Sequence, residues 1–436
     1  MSTKPLERKG QPGPKQAEIN LKLAVAILTT GTDYSTIASF LEFMGIPVLS
    51  ERRYHQLATC LVKPAIDKVY EMQREKVMEE IKDLAIQEDG VHLAGDGQFD
   101  SRGYSAMICR FTIMHIMTKY VLDFEVQRKE RGGNSMILEK AGHEECMPRL
   151  VDELRDLTGL AHPVKSMTTD RCTNLTQVMK QYPEITHHFD SWHWVRSIRK
   201  DIAEKYKQDQ FKPLQCWVQP FVNHIHHSIS SANGNGILAF QLIMSFFFHV
   251  TDQHDGFGML GSLNFDQVTS CQHPANFKST KPYLDLNINQ HKKGFNALLG
   301  IMNKGSRQKD LENVSAFFST SALESFHSLA ARYSPKETFF DKLGYIIRSK
   351  LAAIHWNHLQ MMEARGNRKV EAKISYFCKT KKAIVWKSRK TKVKHTWRDE
   401  IYQLVKQMFM EGVPIRIEQE EINARAAAEE EMYALY

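Results

Sequence analysis

Val91-His-Leu-Ala-Gly-Asp96-Gly-Gln-Phe-Asp100-Ser-Arg-Gly-Tyr-Ser-Ala106 marks a change in the texture of the chain. Upstream, residues 16–84 carry apolar side chains at helical spacing (Leu21, Leu23, Ala24, Ile27, Leu28), broken at Gly31, Gly45, Pro47 and Pro64. From Val91 onward the pattern alternates. Stretches at 91–95, 106–121 and 121–127, separated by Arg102-Gly103 and Thr118-Lys119, read as three antiparallel strands. Residues 135–157 then spell an amphipathic helix, with Ile137, Leu138, Ala141, Met147, Leu150, Val151 and Leu154 near one face. Val164 to Thr169 predicts a fourth strand, Asn174 to Gln181 a helix, and Ile185 to Phe189 a fifth strand.

Three strands, a helix, a strand, a helix and a strand is the order of an RNase H-like sheet. The expected fold class is therefore α/β: a five-stranded mixed sheet with helices, an α-helical N-terminal domain, and a largely α-helical insertion before a last core helix. The domains expected are a helical region at 1–86, a candidate helix-turn-helix DNA reader; a first core part at 87–194; the insertion at 195–319; a second core part at 320–364; and a basic C-terminal region at 365–436. The core helix at Ser321 to Arg332 aligns Leu323, Phe326, Leu329 and Ala330.

Composition narrows the function classes. The chain has 436 residues, 42% of them hydrophobic, enough for two or three domains. Met1 to Asn20 lacks an apolar signal core. The longest apolar run, 236–250, is interrupted by Gln241 and Ser245 and is shorter than the roughly 20 residues of a spanning helix, so it reads as a buried helix and no membrane partner is expected. Seven scattered cysteines without a C-x-x-C pair argue against a disulfide framework and for a reducing compartment. The net charge of +8 is unevenly placed: residues 365–398 hold thirteen Lys or Arg against Glu371 alone. With Trp386 and Trp397 interleaved, this favours a nucleic-acid surface over a solvated basic helix or tail. The cations singled out are Lys379, Lys381, Lys382, Lys387, Arg389, Lys390, Lys392 and Lys394. Residues 411–436, with seven acids, read as a solvated helical or frayed tail.

Asp96 follows the first predicted strand and Asp170 the fourth, strands that neighbour each other in such a sheet. Convergent carboxylates repel unless a cation neutralises them, and hard oxygen donors suit Mg²⁺. Spacing alone allows the alternative that both are turn or cap residues. Glu324 adds an acid from the last core helix, expected to point into a cleft, with His327 and Ser328 at i+3 and i+4.

These residues together resemble transposases of the Kolobok superfamily. The resemblance is carried by the stretch from Leu93 to Ala106, by Thr169-Asp170-Arg171, Phe189-Asp-Ser-Trp-His193 and Ala322-Leu-Glu-Ser-Phe-His327, in the family's order. It extends through Asn223-His224, His249-Val-Thr-Asp-Gln-His254 leading to Cys271-x-His273, and Tyr333-Ser-Pro-Lys336, and spans residues 27–394. It implies a DDE-type enzyme in which Asp96, Asp170 and Glu324 bind two Mg²⁺ (or Mn²⁺), Asp190 and His193 form an Asp-x-x-His motif, and His327 supports the site. The activity implied is cleavage of transposon ends and strand transfer into target DNA, typically at TTAA, by a nuclear homo-oligomer, most simply a dimer. Two departures stand out: Gln98 replaces a frequent Arg, and Ile225, His226 and His227 replace an aromatic pair after Asn-His. No Cys/His cluster of the THAP type precedes Leu21, so that zinc domain is not expected. The alternative readings are a domesticated, catalytically silent DNA-binding descendant and a nuclease without strand transfer.

His249, His254, Cys271 and His273 form a separate candidate, since imidazole and thiolate are zinc ligands and a loop-rich insertion gains from a metal staple; chance clustering among nineteen His is the alternative.

Overall fold

The computed structural model describes residues 5–9, 16–102, 105–130, 133–205, 207–274, 277, 279–379 and 383–416. A short ladder, β1 (Pro5–Leu6) with β2 (Gln16–Ala17), leads into the N-terminal helices. These are α1 (Glu18–Thr30), α2 (Tyr34–Phe43), α3 (Glu51–Leu57) and α4 (Lys63–Glu88). Local chemistry sets their ends. Asp33 caps α2 by accepting from Thr36 N at 2.7 Å, and Ser50 caps α3. A π-helical turn at Ala58–Val62 carries α3 into α4.

The sheet comprises β3 (Val91–Phe99), β4 (Ile108–His115), β5 (Val121–Arg128), β6 (Val164–Thr169) and β7 (Thr186–Phe189), in the order β5-β4-β3-β6-β7. β4 and β5 run antiparallel and β6 and β7 parallel, so the sheet is mixed, as the strand pattern predicts. The chain divides into two compact units, and the division passes through β3. One unit holds Met1–Val91, Asp96–Pro163 and Ser321–Tyr436; the other holds His92–Gly95 and Val164–Thr320.

In the first unit every residue of β4 is buried, which requires cover on both faces. One cover is α5 (Leu138–Thr158), preceded by a 3-10 turn at Ser135–Ile137 where the sequence predicts regular helix. Gly142 brings α5 close to β4: a Cβ there would lie 2.7 Å from Phe111 Cβ, and the Phe111 ring stacks on His143 at 4.8 Å. After α12 (Ser321–Ala330), helix α13 (Lys342–Ala364) packs on α4 and β5. Asn357 ties α13 to the edge of the sheet. It accepts from Val121 N and donates to Val121 O, both at 2.9 Å, and so acts as a fragment of strand.

The basic segment forms a hairpin, β10 (Val370–Cys378) with β11 (Ala383–Lys390), rather than a helix or tail. It ends in α14 (Thr396–Met410), which packs against α1 and α4. Trp397 is buried, its ring beside His355 and His395, so of the two tryptophans in the basic segment Trp386, 69% exposed, offers its ring to solvent. Most of the acidic tail, residues 417–436, lies outside the described residues.

The second unit contains β6, β7 and the helices α6 (Thr173–Met179), α7 (Ser191–Lys205), α8 (Val218–Ala232), α9 (Gly236–His249), α10 (Asn289–Met302) and α11 (Arg307–Asp310). A small hairpin, β8 (Met259–Leu260) with β9 (Leu263–Asn264), follows α9. α9 is the apolar run of the sequence and is buried among aromatic neighbours, including Phe221, Phe257, Phe265 and Phe295. Its polar interruption is satisfied internally: Gln241 Oε1 accepts from Gln267 N at 2.9 Å and Val268 N at 3.1 Å, while its amide donates to Asp266. Among the described residues no helix is long and apolar enough to cross a membrane.

Candidate active site and nucleic-acid interface

In the first unit, Asp96 sits near the end of β3. Its Oδ1 accepts from Gly97 N at 2.9 Å, and its Oδ2 lies 3.4 Å from His327 Nδ1 on α12. Gly97 lets the strand pass close to α5, because a Cβ there would lie 2.8 Å from Glu139 Cγ. Glu324 is one helical turn before His327, so the two share a face of α12. It is exposed at the helix start, rather than enclosed, while its neighbours Leu323 and Phe326 anchor the helix in the core. Burial, and then the charges of Arg110 and Lys336, push His327 well below the usual imidazole range.

Behind this pair runs a buried polar chain that sequence reasoning missed. Arg110 is fully buried, with Phe326 over its guanidinium at 5.0 Å; it donates to Ser349 Oγ at 3.3 Å and to Gln98 Oε1. Gln98 Nε2 in turn donates to His327 O at 2.9 Å. Gln98 thus fixes α12 against β3. An arginine inside the apolar stretch Ile108-Cys-Arg110-Phe was the available signal, since a buried cation requires acceptors.

In the second unit, Asp170 follows β6 and Asp190 follows β7 at the start of α7. Asp190 is 1% exposed. Its Oδ1 accepts from His193 N at 2.9 Å, and its Oδ2 accepts from Thr320 N at 2.7 Å and Thr320 Oγ1 at 3.2 Å. Burial opposes its ionisation, but the His193 contact and these N–H donors outweigh burial and lower the carboxyl to about 2. His193 Nδ1 lies 2.8 Å from Asp170 Oδ1 and 3.4 Å from Asp190 Oδ1. Burial alone would depress this imidazole; the two carboxylates raise it to about 10. Arg171 is held by Asp310 at 2.5 Å and Ser306 at 2.7 Å, which fixes the backbone after Asp170.

The β10–β11 hairpin is solvent-exposed on both faces, with Ile374, Tyr376, Phe377, Ile384 and Trp386 among its cations. Arg389 pairs with Glu371 at 3.3 Å and Lys390 with Glu363 at 2.7 Å. Lys379 lies in the turn and Lys387 on β11, with Lys392 and Lys394 beyond it; Lys381 and Lys382 fall outside the described residues. His249, His254, Cys271 and His273 come together, with one candidate ligand atom from each all within 4.8 Å of one another.

Residues 1–151 match the family model of Mutator-like transposases. No curated protein matches. Among solved structures, a chain of the Drosophila P element transposase strand transfer complex is similar at 12% identity and a TM-score of 0.31, over 79% of this chain and 93% of that one.

Proposed function

We propose that this chain is a DDE-type DNA transposase, with Asp96, Asp170 and Glu324 as its metal-binding acids. The observation that carries the reading is the contact between His327 and Asp96, because it seats the helix bearing Glu324 beside the strand bearing Asp96. All three are hard oxygen donors suited to Mg²⁺ or Mn²⁺. When bound, such ions neutralise charge on the attacking and leaving oxygens of a phosphodiester. The chain's own contribution is to hold its carboxylates still. His327 orients Asp96, Gln98 and Arg110 set the position of His327, and His193, itself held by Asp190, orients Asp170. The finer reading, a Kolobok-type enzyme that cuts transposon ends and joins them at TTAA as a nuclear dimer, rests on the motifs around these acids.

The DNA surface in this reading includes the β10–β11 hairpin. An exposed ribbon of cations and aromatics complements a polyphosphate backbone, and Trp386 has the ring to stack on an unpaired base. The test uses Asp96→Asn, Asp170→Asn and Glu324→Gln in the full chain. Each retains side-chain shape but loses charge, so cleavage and joining of the source element's ends should fall by about 100-fold or more while end binding persists. Normal cutting by any of the three would remove that residue from the catalytic set.

A further inference from the structure

We propose that His249, His254, Cys271 and His273 bind one Zn²⁺ ion that staples the loops after α9, an inference independent of the transposase reading. The ligands come from separated places. His249 is the last residue of α9, His254 follows in the next loop, and Cys271 and His273 lie beyond the β8–β9 hairpin. Cys271 N donates to His254 O at 2.8 Å, which closes the loop that carries them.

The spacing of the ligand atoms is that of a tetrahedral site. With Zn–N of about 2.0–2.1 Å and Zn–S of about 2.3 Å, ideal edges are about 3.4 Å between nitrogens and about 3.6 Å between nitrogen and sulfur. Cys271 Sγ lies 3.6 Å from His249 Nδ1 and 3.5 Å from His254 Nδ1. His273 Nε2 lies 3.3 Å from His249 Nδ1 and 3.1 Å from His254 Nδ1.

The outer nitrogens decide what faces inward. His273 Nδ1 is 3.0 Å from the Pro274 carbonyl, which can only accept, so Nδ1 carries the proton and Nε2 presents a lone pair. His254 Nε2 is 3.2 Å from Asp252 Oδ1, so its proton sits there and Nδ1 presents the second lone pair. Two lone pairs facing each other at 3.1 Å, with a thiol and a third imidazole alongside, repel unless a cation lies among them. A carbonyl and a carboxylate behind two of the imidazoles are the partners that orient zinc-bound histidines elsewhere.

The test is made on the full-length, untagged chain, washed with a weak chelator. Metal analysis should find about one Zn²⁺ per chain, and Cys271→Ser and His273→Ala should hold about tenfold less. Replacing zinc with Co²⁺ in the unaltered chain should give intense visible bands of a tetrahedral site together with a thiolate-to-cobalt charge-transfer band. The charge-transfer band should be missing from Cys271→Ser. Because the cobalt spectrum is read on the unaltered chain, it decides the matter even where a variant fails to fold. Absence of stoichiometric zinc together with no tetrahedral cobalt bands overturns the assignment, as does zinc retained undiminished by a folded Cys271→Ser chain.

Discussion

Replacing Asp190 by asparagine isolates the contribution of one buried charge. The carboxylate accepts from His193 N through one oxygen and from Thr320 N and Oγ1 through the other. An amide of the same shape must turn its NH₂ toward one of those donors, whichever way it sits. The protonated acid suffers the same mismatch, so Asp190→Asn mimics the low-pH form of the native side chain. Lowering the carboxyl from 3.8 to about 2 corresponds to about 2 kcal/mol, in line with the roughly 1–3 kcal/mol for one unsatisfied buried donor. Because the folded-state value is depressed, the contribution is present above pH 3.8 and is lost as pH falls toward 2. Urea unfolding of the metal-free chain at a series of pH values should therefore show the variant about 2 kcal/mol less stable at pH 7 and pH 5. The gap should narrow below pH 3.8. A gap that stays constant through the acid range, or no gap at pH 7, would refute the argument that ionised Asp190 is what holds β7, α7 and Thr320 together.

Two further outcomes follow from contacts elsewhere. Combined Lys373→Ala, Lys387→Ala and Lys392→Ala should flatten the log-log salt dependence of DNA binding by roughly 0.9 per lost phosphate contact, whereas Arg389→Ala should do less because that side chain already pairs with Glu371; an unchanged slope in the triple variant removes the hairpin from the DNA surface. Asn357→Leu strips Val121 of both its partners at a site 2% exposed, and thermal or urea unfolding should register a loss of about 2–5 kcal/mol; a loss under about 1 kcal/mol would mean that the Val121 backbone groups find other partners.

β5 was legible from the alternation of Leu122, Phe124 and Val126 with Asp123, Glu125 and Gln127, although its first four residues are all buried, and α5 and α12 were legible from their apolar stripes. The hairpin was not, although Ile374, Tyr376, Ile384 and Trp386 have strand-forming side chains. Thirteen cations in the segment dominate its composition, and a ribbon exposed on both faces has no buried side to impose a polar-apolar alternation. Trp397 shows the converse error. Counted among the charges it suggests stacking, yet with Ile401, Val405 and Phe409 it lies on the buried stripe of α14.

The support of the candidate active site escaped reading for a different reason. Asp96, Asp170 and Glu324 were singled out by their places after strands and on a helix together with the motifs around them, but Gln98 reaches a carbonyl 229 positions away and Asp190 an amide 130 positions away. No local period encodes such pairs; only the folded backbone brings the partners together. What the sequence does hold is the demand for a partner: an Arg inside an apolar strand, or an Asp that ends one, must be satisfied if it is buried. Within the first unit Arg110 finds acceptors in Gln98 and Ser349, and Gln98 in turn donates to His327 O of α12; within the second, Asp190 is satisfied by Thr320 and His193 N. The placement of Glu324 therefore depends on Gln98 and Arg110, and substitutions at either act first on α12.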